Sequence, residues 1–208
     1  MRKVILLSFV CLSVEVFAQR SFFGVDAGIN VANQRMRNHY DNDPPSISIF
    51  YQNTVKPTFG IFYQYGFNEK MGLRLGAHFW GLGYSNINSF TGDVSINYLT
   101  LPLTFQYSAT PHLSFNAGAY LSFTLGGSRF NNEDITKTYH HNDDGLVFGG
   151  EHDLYKNLAI SVKYIWGLKN IWLNDTQTLP SIPPITIHTN YTNRALQITL
   201  IYKFKKPS

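Results

Sequence analysis

Hydrophobic and polar residues alternate along most of this chain, in eight runs separated by polar segments. Alternation with a period of two predicts β-strands whose two faces meet different surroundings. In the fourth run the alternation changes phase at Tyr98-Leu99, which predicts a β-bulge, and Pro102 makes this strand the least regular. The predicted strands cover residues 22–31, 55–65, 71–84, 94–107, 112–125, 145–153, 158–168 and 197–204.

The connections between these runs alternate between short and long. Short turns are predicted at 66–70, 108–111 and 154–157, and long polar loops at 34–54, 85–93, 126–144 and 169–190. An even strand number with short turns at one end and long loops at the other is typical of bacterial outer-membrane barrels. The pattern therefore predicts an all-β fold, an eight-stranded antiparallel up-and-down transmembrane β-barrel. Its last strand must pair with its first, both termini are expected in the periplasm, and the loops are expected outside the cell.

The N-terminus has the features of a secretory signal peptide. Arg2 and Lys3 precede a short apolar run, and Val16-Phe17-Ala18 supplies a cleavage site. We expect residues 1–18 to be removed and residues 19–208 to form the barrel domain. Cys11 is the only cysteine and lies within the predicted signal, so the mature chain is expected to contain neither disulfides nor thiolate metal sites.

Composition supports a membrane location and argues against a nucleic-acid partner. Charged residues make up 14% of the chain and aromatic residues 15%, whereas soluble domains average about 25% charged residues. The net charge of +4 comes without a basic cluster. No apolar run after the predicted signal is long enough for a transmembrane helix, and only a closed barrel otherwise satisfies backbone polar groups in lipid.

The polar faces of the strands carry charges of both signs, which are expected to pair inside a narrow lumen. A soluble barrel would instead turn its apolar face inward. The candidate lumen charge network consists of Asp26, Lys56, Arg74, Glu151, Asp153 and Lys163. In the last strand, Gln197, Tyr202 and Phe204 lie close to the C-terminus and form a candidate signal for recognition by the barrel-assembly machinery.

Five segments carry a resemblance to known proteins: residues 23–30, 97–103, 116–120, 164–171 and 193–197. They resemble the PorT-like outer-membrane β-barrel family of the Bacteroidetes, and the resemblance covers nearly all of the mature chain. The resemblance implies an eight-stranded barrel in the outer membrane. It does not imply one biochemical activity, because the founding member acts in protein secretion and gliding and most relatives have no assigned role.

Candidate chemistry is sparse along the chain. His78 with Ser85 or Ser89 could serve a hydrolase, but a lumen histidine beside loop serines is the favoured interpretation. The group His140, His141, Asp143 and Asp144 is the best metal candidate, although neighbouring histidines on an extended segment point apart. Glu151 and Asp153 could share a proton or bind a cation, and ion pairing across the lumen is favoured instead. No catalytic residue, metal or cofactor is therefore predicted.

These observations predict a non-enzymatic outer-membrane protein with a structural or interaction role through its surface loops. An accessory component of a protein-secretion or gliding system is the main alternative. A lipid-modifying or proteolytic barrel enzyme and a small pore rank lower, because side chains fill an eight-stranded barrel. The expected partners are outer-membrane lipid, lipopolysaccharide, the assembly machinery during insertion and a protein whose identity the sequence leaves open.

Overall fold

The computed structural model describes residues 21–40, 47–85, 93–125, 129–130, 133–134, 139–173, 176–179 and 185–204. The predicted signal peptide, Ser89 and parts of all four predicted long loops lie outside these residues. Within the described part of the chain, no helix is sufficiently long and apolar to cross a membrane.

The described residues form twelve strands, and eight of them are long. The long strands are β1 (Phe22–Tyr40), β3 (Thr54–Gly66), β4 (Met71–Tyr84), β5 (Val94–Ser108), β6 (Leu113–Thr124), β9 (Asn142–Tyr155), β10 (Leu158–Gly167) and β12 (Ile185–Lys203). The short strands are β2 (Ile47–Phe50), β7 (Arg129–Phe130), β8 (Glu133–Asp134) and β11 (Thr176–Leu179).

The long strands pair antiparallel in a closed ring. Each pairs with its neighbour in chain order, and β12 returns to pair with β1 from Gly24–Lys203 to Tyr40–Ile187. The predicted eight-stranded antiparallel barrel and its closure by the first and last strands are thereby confirmed. We call the end with the short connections the turn end, which also holds Phe22 and Lys203, and the opposite end the loop end.

Side chains alternate between the barrel interior and its outer surface, because successive residues of a strand point to opposite faces. On β6, Phe115, Leu121 and Phe123 are exposed, whereas Asn116 and Tyr120 are buried. The outward apolar residues near β6 extend from Phe115 to Leu125. At about 3.3 Å per residue and a strand tilt of about 40°, this band is about 25 Å tall, which matches the lipid-facing band of outer-membrane barrels.

Three strands are longer than predicted, so parts of the predicted loops 34–54, 126–144 and 169–190 are strand instead. β1 and β12 continue together to Tyr40 and Ile187, β9 begins at Asn142, and β11 forms a hairpin with β12. The reason is that backbone pairing continues beyond the apolar band. There the outward residues are polar and the inward residues are mixed, so the regular alternation that marks a strand disappears from the sequence.

The predicted bulge at Tyr98-Leu99 is wrong. β4 and β5 keep one register from Met71–Tyr107 to Tyr84–Val94, on both sides of this point. The apolar residues change face because Val94, Ile96 and Tyr98 are fully buried inside the barrel at the loop end. A register shift does occur between β9 and β10, at Leu158-Ala159 beside the turn.

Candidate functional site

A polar cavity occupies the turn end of the barrel interior. Its volume is about 930 Å³, and the turn residues at 68–70 and 108–112 surround its mouth. Phe22, Gln64, Arg74, Glu151 and Lys203 line its deeper part. We call this cavity the vestibule. Positive and negative side chains meet there, because the strand registers bring inward residues of β4, β9 and β12 to the same height in the barrel.

Glu151 is the centre of an ion network at the inner end of the vestibule. Its Oε2 accepts a hydrogen bond from Arg74 Nη1 at 2.8 Å, and its Oε1 lies 2.7 Å from Lys203 Nζ. Lys203 also donates to Asp153 Oδ1 at 2.6 Å, and Arg74 donates two hydrogen bonds to Gln64 Oε1. The side chains of Arg74 and Glu151 are 5% and 1% exposed, so their charges are compensated by each other rather than by bulk water.

Two aromatic rings support this network from the apolar side. The Arg74 guanidinium lies 4.2 Å from the centre of the Phe62 ring, within cation–π distance. Phe22 and Phe62 pack edge to face at 6.1 Å, and with Ala159 and Ile201 they form a small buried apolar cluster. The inward face of the barrel is therefore not uniformly polar near the turn end.

The six residues predicted to form a lumen charge network are only partly together. Arg74, Glu151 and Asp153 share the network described above, with Lys203 completing it. Lys163 is also buried, two residues nearer the loop end on β10 than Ser161, the residue opposite Glu151. It is close enough to interact electrostatically with Asp26 and Glu151. Lys56 forms no ion pair with another residue that the structure describes. The strand register explains this. Lys56 lies opposite Asn30, four residues further along β1 than Asp26, and is therefore nearer the loop end than the charged residues of the vestibule.

Asp26 pairs with His78, a partner that the predicted network did not include. His78 Nε2 lies 2.9 Å from Asp26 Oδ2, and both side chains are buried. Gly60 and Gly76 make space for the imidazole, since an added Cβ at either position would lie 2.2 Å from a ring carbon. Alternation placed Asp26 and His78 on polar faces, but only the register between strands brings them together.

The candidate hydrolase pair is separated along β4. His78 lies in the middle of the barrel, whereas Ser85 is seven residues further along the chain and hydrogen-bonds Asp93 at 2.5 Å. Seven residues of extended strand span about 23 Å, which is too far for proton transfer between the two side chains. His78 is therefore positioned to pair with Asp26 rather than to activate Ser85.

The residues of the candidate insertion signal divide between the two faces of β12. Gln197 points inward and donates to Asn30 Oδ1 at 3.1 Å and Thr58 Oγ1 at 3.2 Å. Tyr202 and Phe204 point outward at the turn end, with ring centres 5.4 Å apart. Recognition of this strand by the assembly machinery stays a prediction.

Asp143 belongs to a buried polar group near the loop end. Its Oδ2 accepts hydrogen bonds from the Tyr120 hydroxyl at 3.1 Å and from Asn193 Nδ2 at 2.9 Å. Gln34 in turn donates to Asn193 Oδ1 at 3.2 Å. Asp143 is thus turned into the barrel instead of toward a common centre with His140 and His141. Among the residues described by the structure, no three His, Cys, Asp or Glu side chains form a group that could hold a metal ion.

Aromatic residues fill the barrel interior at the loop end. Trp80, Tyr84, Tyr98, Tyr120 and Tyr139 are all buried, and we call this group the aromatic seal. Trp80 and Tyr120 rings lie 5.2 Å apart across the interior. Because the seal belongs to one continuous apolar cluster, the interior narrows from an open vestibule to packed side chains.

A second aromatic layer covers the seal on its outer side. Tyr51 stacks on Tyr84 at 4.1 Å, and its hydroxyl lies 3.4 Å from that of Tyr191. Trp172 packs against Tyr139 and Tyr191, each at 5.2 Å. Tyr51, Tyr139 and Trp172 come from predicted loops, whereas Tyr191 directly follows the predicted loop 169–190. The presence of aromatic side chains in these loops was the available signal.

Comparisons with known proteins identify outer-membrane barrels. The family model for the outer membrane protein beta-barrel domain matches residues 4–204. The outer membrane protein OprG from Pseudomonas aeruginosa is 14% identical, with a TM-score of 0.50 over 89% of this chain and 96% of OprG. The outer membrane protein AlkL, studied in lipid bilayers, is 12% identical, with a TM-score of 0.51 over 91% and 92%. At these identities the similarity concerns the fold. No curated protein sequence matches the chain.

Proposed function

Because the chain belongs to the outer membrane protein β-barrel domain family, we propose that it is a non-enzymatic barrel acting through its loop-end surface. The aromatic seal is the observation that carries this proposal. Buried side chains occupy the interior between the vestibule and the loop end, so solute would have to displace packed aromatic rings. A barrel without an open lumen acts on its surroundings through its surface.

The loop end offers a surface suited to contact with another macromolecule. Tyr51, Trp172 and Tyr191 are half-buried there, and Ile49 and Leu173 are exposed. Aromatic side chains are enriched in protein interfaces, since they bury much area at little entropic cost. In this proposal the loop end faces outward from the cell, both termini lie in the periplasm, and residues 1–18 are the export signal.

A role in a protein-secretion or gliding system is the second candidate, and the vestibule favours it. This cavity opens between the short turns, which would face the periplasm, and it presents both hydrogen-bond donors and acceptors. The segments that resemble the PorT-like family support the same candidate. Its partner would contact the turn end rather than the loop end.

Site-specific photo-crosslinking in intact cells separates the two candidates. The crosslinking residue is placed at Leu173 on the loop end, at Thr110 on the turn end, and at Leu200 on the outer surface as the lipid-facing control. Protein adducts at Leu173 alone support the loop-end proposal, and adducts at Thr110 alone support the secretion candidate. Adducts at neither position, with normal insertion, would contradict both.

Conductance tests the closed interior directly. Purified barrel inserted in planar bilayers is expected to give no sustained current steps, and replacing Trp80 and Tyr120 by alanine is expected to introduce them. Steady conductance of the unmodified protein would refute the closed interior. A change in lipid A mass on expression would refute the non-enzymatic assignment.

A further inference from the structure

We infer that the barrel interior beside the vestibule binds a ligand through its carboxylate, with Lys163 as the cationic partner and Asn116 and Gln106 as hydrogen-bonding partners. We call these three residues the carboxylate site. The ligand would enter from the turn end, where the vestibule opens. This inference adds a binding site and a ligand class, and it rests on the proposed function only for the insertion of the barrel.

The three residues lie in one row across the inner wall of the barrel. Gln106 of β5 is opposite Asn116 of β6. On the next strand, β9, Gly149 is opposite Asn116 on one side and opposite Lys163 of β10 on the other. Gln106 itself lines the vestibule, so the row begins at the wall of that cavity.

Gly149 leaves space between Lys163 and Asn116. Neighbouring strands are about 4.8 Å apart, so the Cα atoms of these two residues are at most about 10 Å apart, with no side chain between them. The Lys163 side chain lies over the glycine, since an added Cβ at Gly149 would come within 3.0 Å of Lys163 Cγ. A small ligand held above Gly149 would therefore contact both side chains.

Lys163 is a buried cation that lacks a close anionic partner. Its residue exposure is 8%, and it forms neither a hydrogen bond nor a salt bridge with any residue that the structure describes. Asp26 and Glu151 attract it from a distance, but each has a closer partner, and the Arg74 guanidinium repels it. Burial of an unpaired charge is costly, and an ionisable side chain at membrane depth is a candidate for a functional site.

Asn116 and Gln106 provide the unused hydrogen-bonding groups of the row. Each of the two residues is 3% exposed. Within the described part of the chain, Nδ2 and Oδ1 of Asn116 and Oε1 of Gln106 have no hydrogen-bond partner, whereas Gln106 Nε2 donates to Thr104 Oγ1 at 2.9 Å. Most buried side-chain polar atoms are hydrogen-bonded, so these three atoms indicate a bound polar molecule.

The unpaired atoms define the chemistry of the ligand. Lys163 Nζ and Asn116 Nδ2 are donors, which suit the two oxygens of a carboxylate. Gln106 Oε1 and Asn116 Oδ1 are acceptors, and they require an N–H or O–H group beside that carboxylate. A dianion such as phosphate is disfavoured, because Asp26 and Glu151 lie within electrostatic range of Lys163. The C-terminal residue of a peptide and a free hydroxy acid both carry the required groups.

Titration with N-acetylglycine, which has a carboxylate and an adjacent amide N–H, tests the site. The full barrel is folded in phosphatidylcholine nanodiscs, and the side-chain amide signals of Asn116 and Gln106 are followed by NMR. We expect both signals to shift until the site is saturated. Acetate lacks the donor and N-acetylglycinamide lacks the charge, so each is expected to bind at least about tenfold more weakly.

Three variants assign the binding to these residues. Lys163→Gln is expected to weaken the binding of N-acetylglycine at least about tenfold, through loss of a charge-assisted hydrogen bond. Asn116→Asp is expected to abolish binding, because it places a second anion at the site. Lys56→Gln is the matched control, since it removes the same charge from the interior nearer the loop end, and it is expected to bind like the unmodified barrel.

The absence of saturable shifts with N-acetylglycine would mean that ordered water alone fills the site, and it would overturn the inference. Undiminished binding by Lys163→Gln, or an equal loss in Lys56→Gln, would overturn it as well. Tighter binding of acetyl-tetraglycine than of N-acetylglycine identifies the ligand as a peptide C-terminus, and tighter binding of glycolate identifies it as a free hydroxy acid. A heat-dependent gel shift confirms that each variant is folded, so a barrel that fails to insert contradicts the proposed function instead.

Discussion

Replacing Glu151 by glutamine is expected to destabilise the barrel by about 3 kcal/mol. The change preserves side-chain size but removes the anion that Arg74 and Lys203 share at 2.8 and 2.7 Å. Removing one partner of a buried ion pair costs about 3–5 kcal/mol, because the remaining charge is left uncompensated. Arg74 keeps two hydrogen bonds to Gln64, and Lys203 keeps Asp153 at 2.6 Å, so the lower end of that range applies.

The free energy of unfolding can be measured by urea titration of the barrel in lipid vesicles, with the heat-dependent gel shift as a second probe of folding. Asp153→Asn is the matched control, since its carboxylate is 12% exposed and Lys203 would keep Glu151 as a partner. We expect this control to lower the free energy of unfolding by about 1–2 kcal/mol, less than Glu151→Gln, because Lys203 keeps its charged partner Glu151. Arg74→Met/Glu151→Leu, which removes both charges, is expected to recover part of the loss.

A free energy of unfolding for Glu151→Gln within about 0.5 kcal/mol of that of the unmodified barrel would refute the reasoning, because a difference of this size is typical of surface substitutions. Equal losses for Glu151→Gln and Asp153→Asn would also refute the reasoning, because they would assign no special role to the more deeply buried carboxylate.

Three further predictions use the same unfolding measurement. Gly76→Ala is expected to cost about 1–3 kcal/mol, because its Cβ would meet a ring carbon of the buried imidazole at 2.2 Å, whereas Gly150→Ala, with 3.8 Å of space, is expected to be neutral. Leu200→Arg, in the middle of the lipid-facing band, is expected to lower the free energy of unfolding by about 2–4 kcal/mol. Asn190→Arg, which lies beyond the apolar band, is expected to leave it almost unchanged. Lys156→Gly is expected to stabilise by up to about 1 kcal/mol, since Lys156 has a φ of 43°, and a loss of stability would contradict strain in that turn.

The sequence predicts the barrel best where its two faces differ most. The predicted limits of β4, residues 71–84, are those of the structure, because apolar outward residues alternate there with Arg74 and His78. At the loop end the contrast fails in two ways. Val94 and Ile96 are apolar although they face inward. Arg35 and Arg37 are charged although they lie on the outward face of β1, which is apolar elsewhere in the barrel.

Side-chain pairing inside the lumen depends on the relative heights of distant strands. Alternation assigns Arg74, Glu151 and Lys56 to inward faces, but it does not give the stagger between strands. The stagger brings Arg74 to Glu151 and leaves Lys56 nearer the loop end. Strand register is thus the physical quantity missing from a reading of single strands, and it decides which candidate charges form a site.

Closure of the barrel by β1 and β12 has a consequence for how the chain folds. The pairs from Gly24–Lys203 to Tyr40–Ile187 join segments at opposite ends of the polypeptide, so they are among the contacts of highest sequence separation in the molecule. Bringing such distant segments together costs loop-closure entropy before any pairing energy is recovered, and high contact order slows folding. We therefore expect the seventeen pairs of this seam to form late, after the intervening hairpins have shortened the effective distance between the two ends.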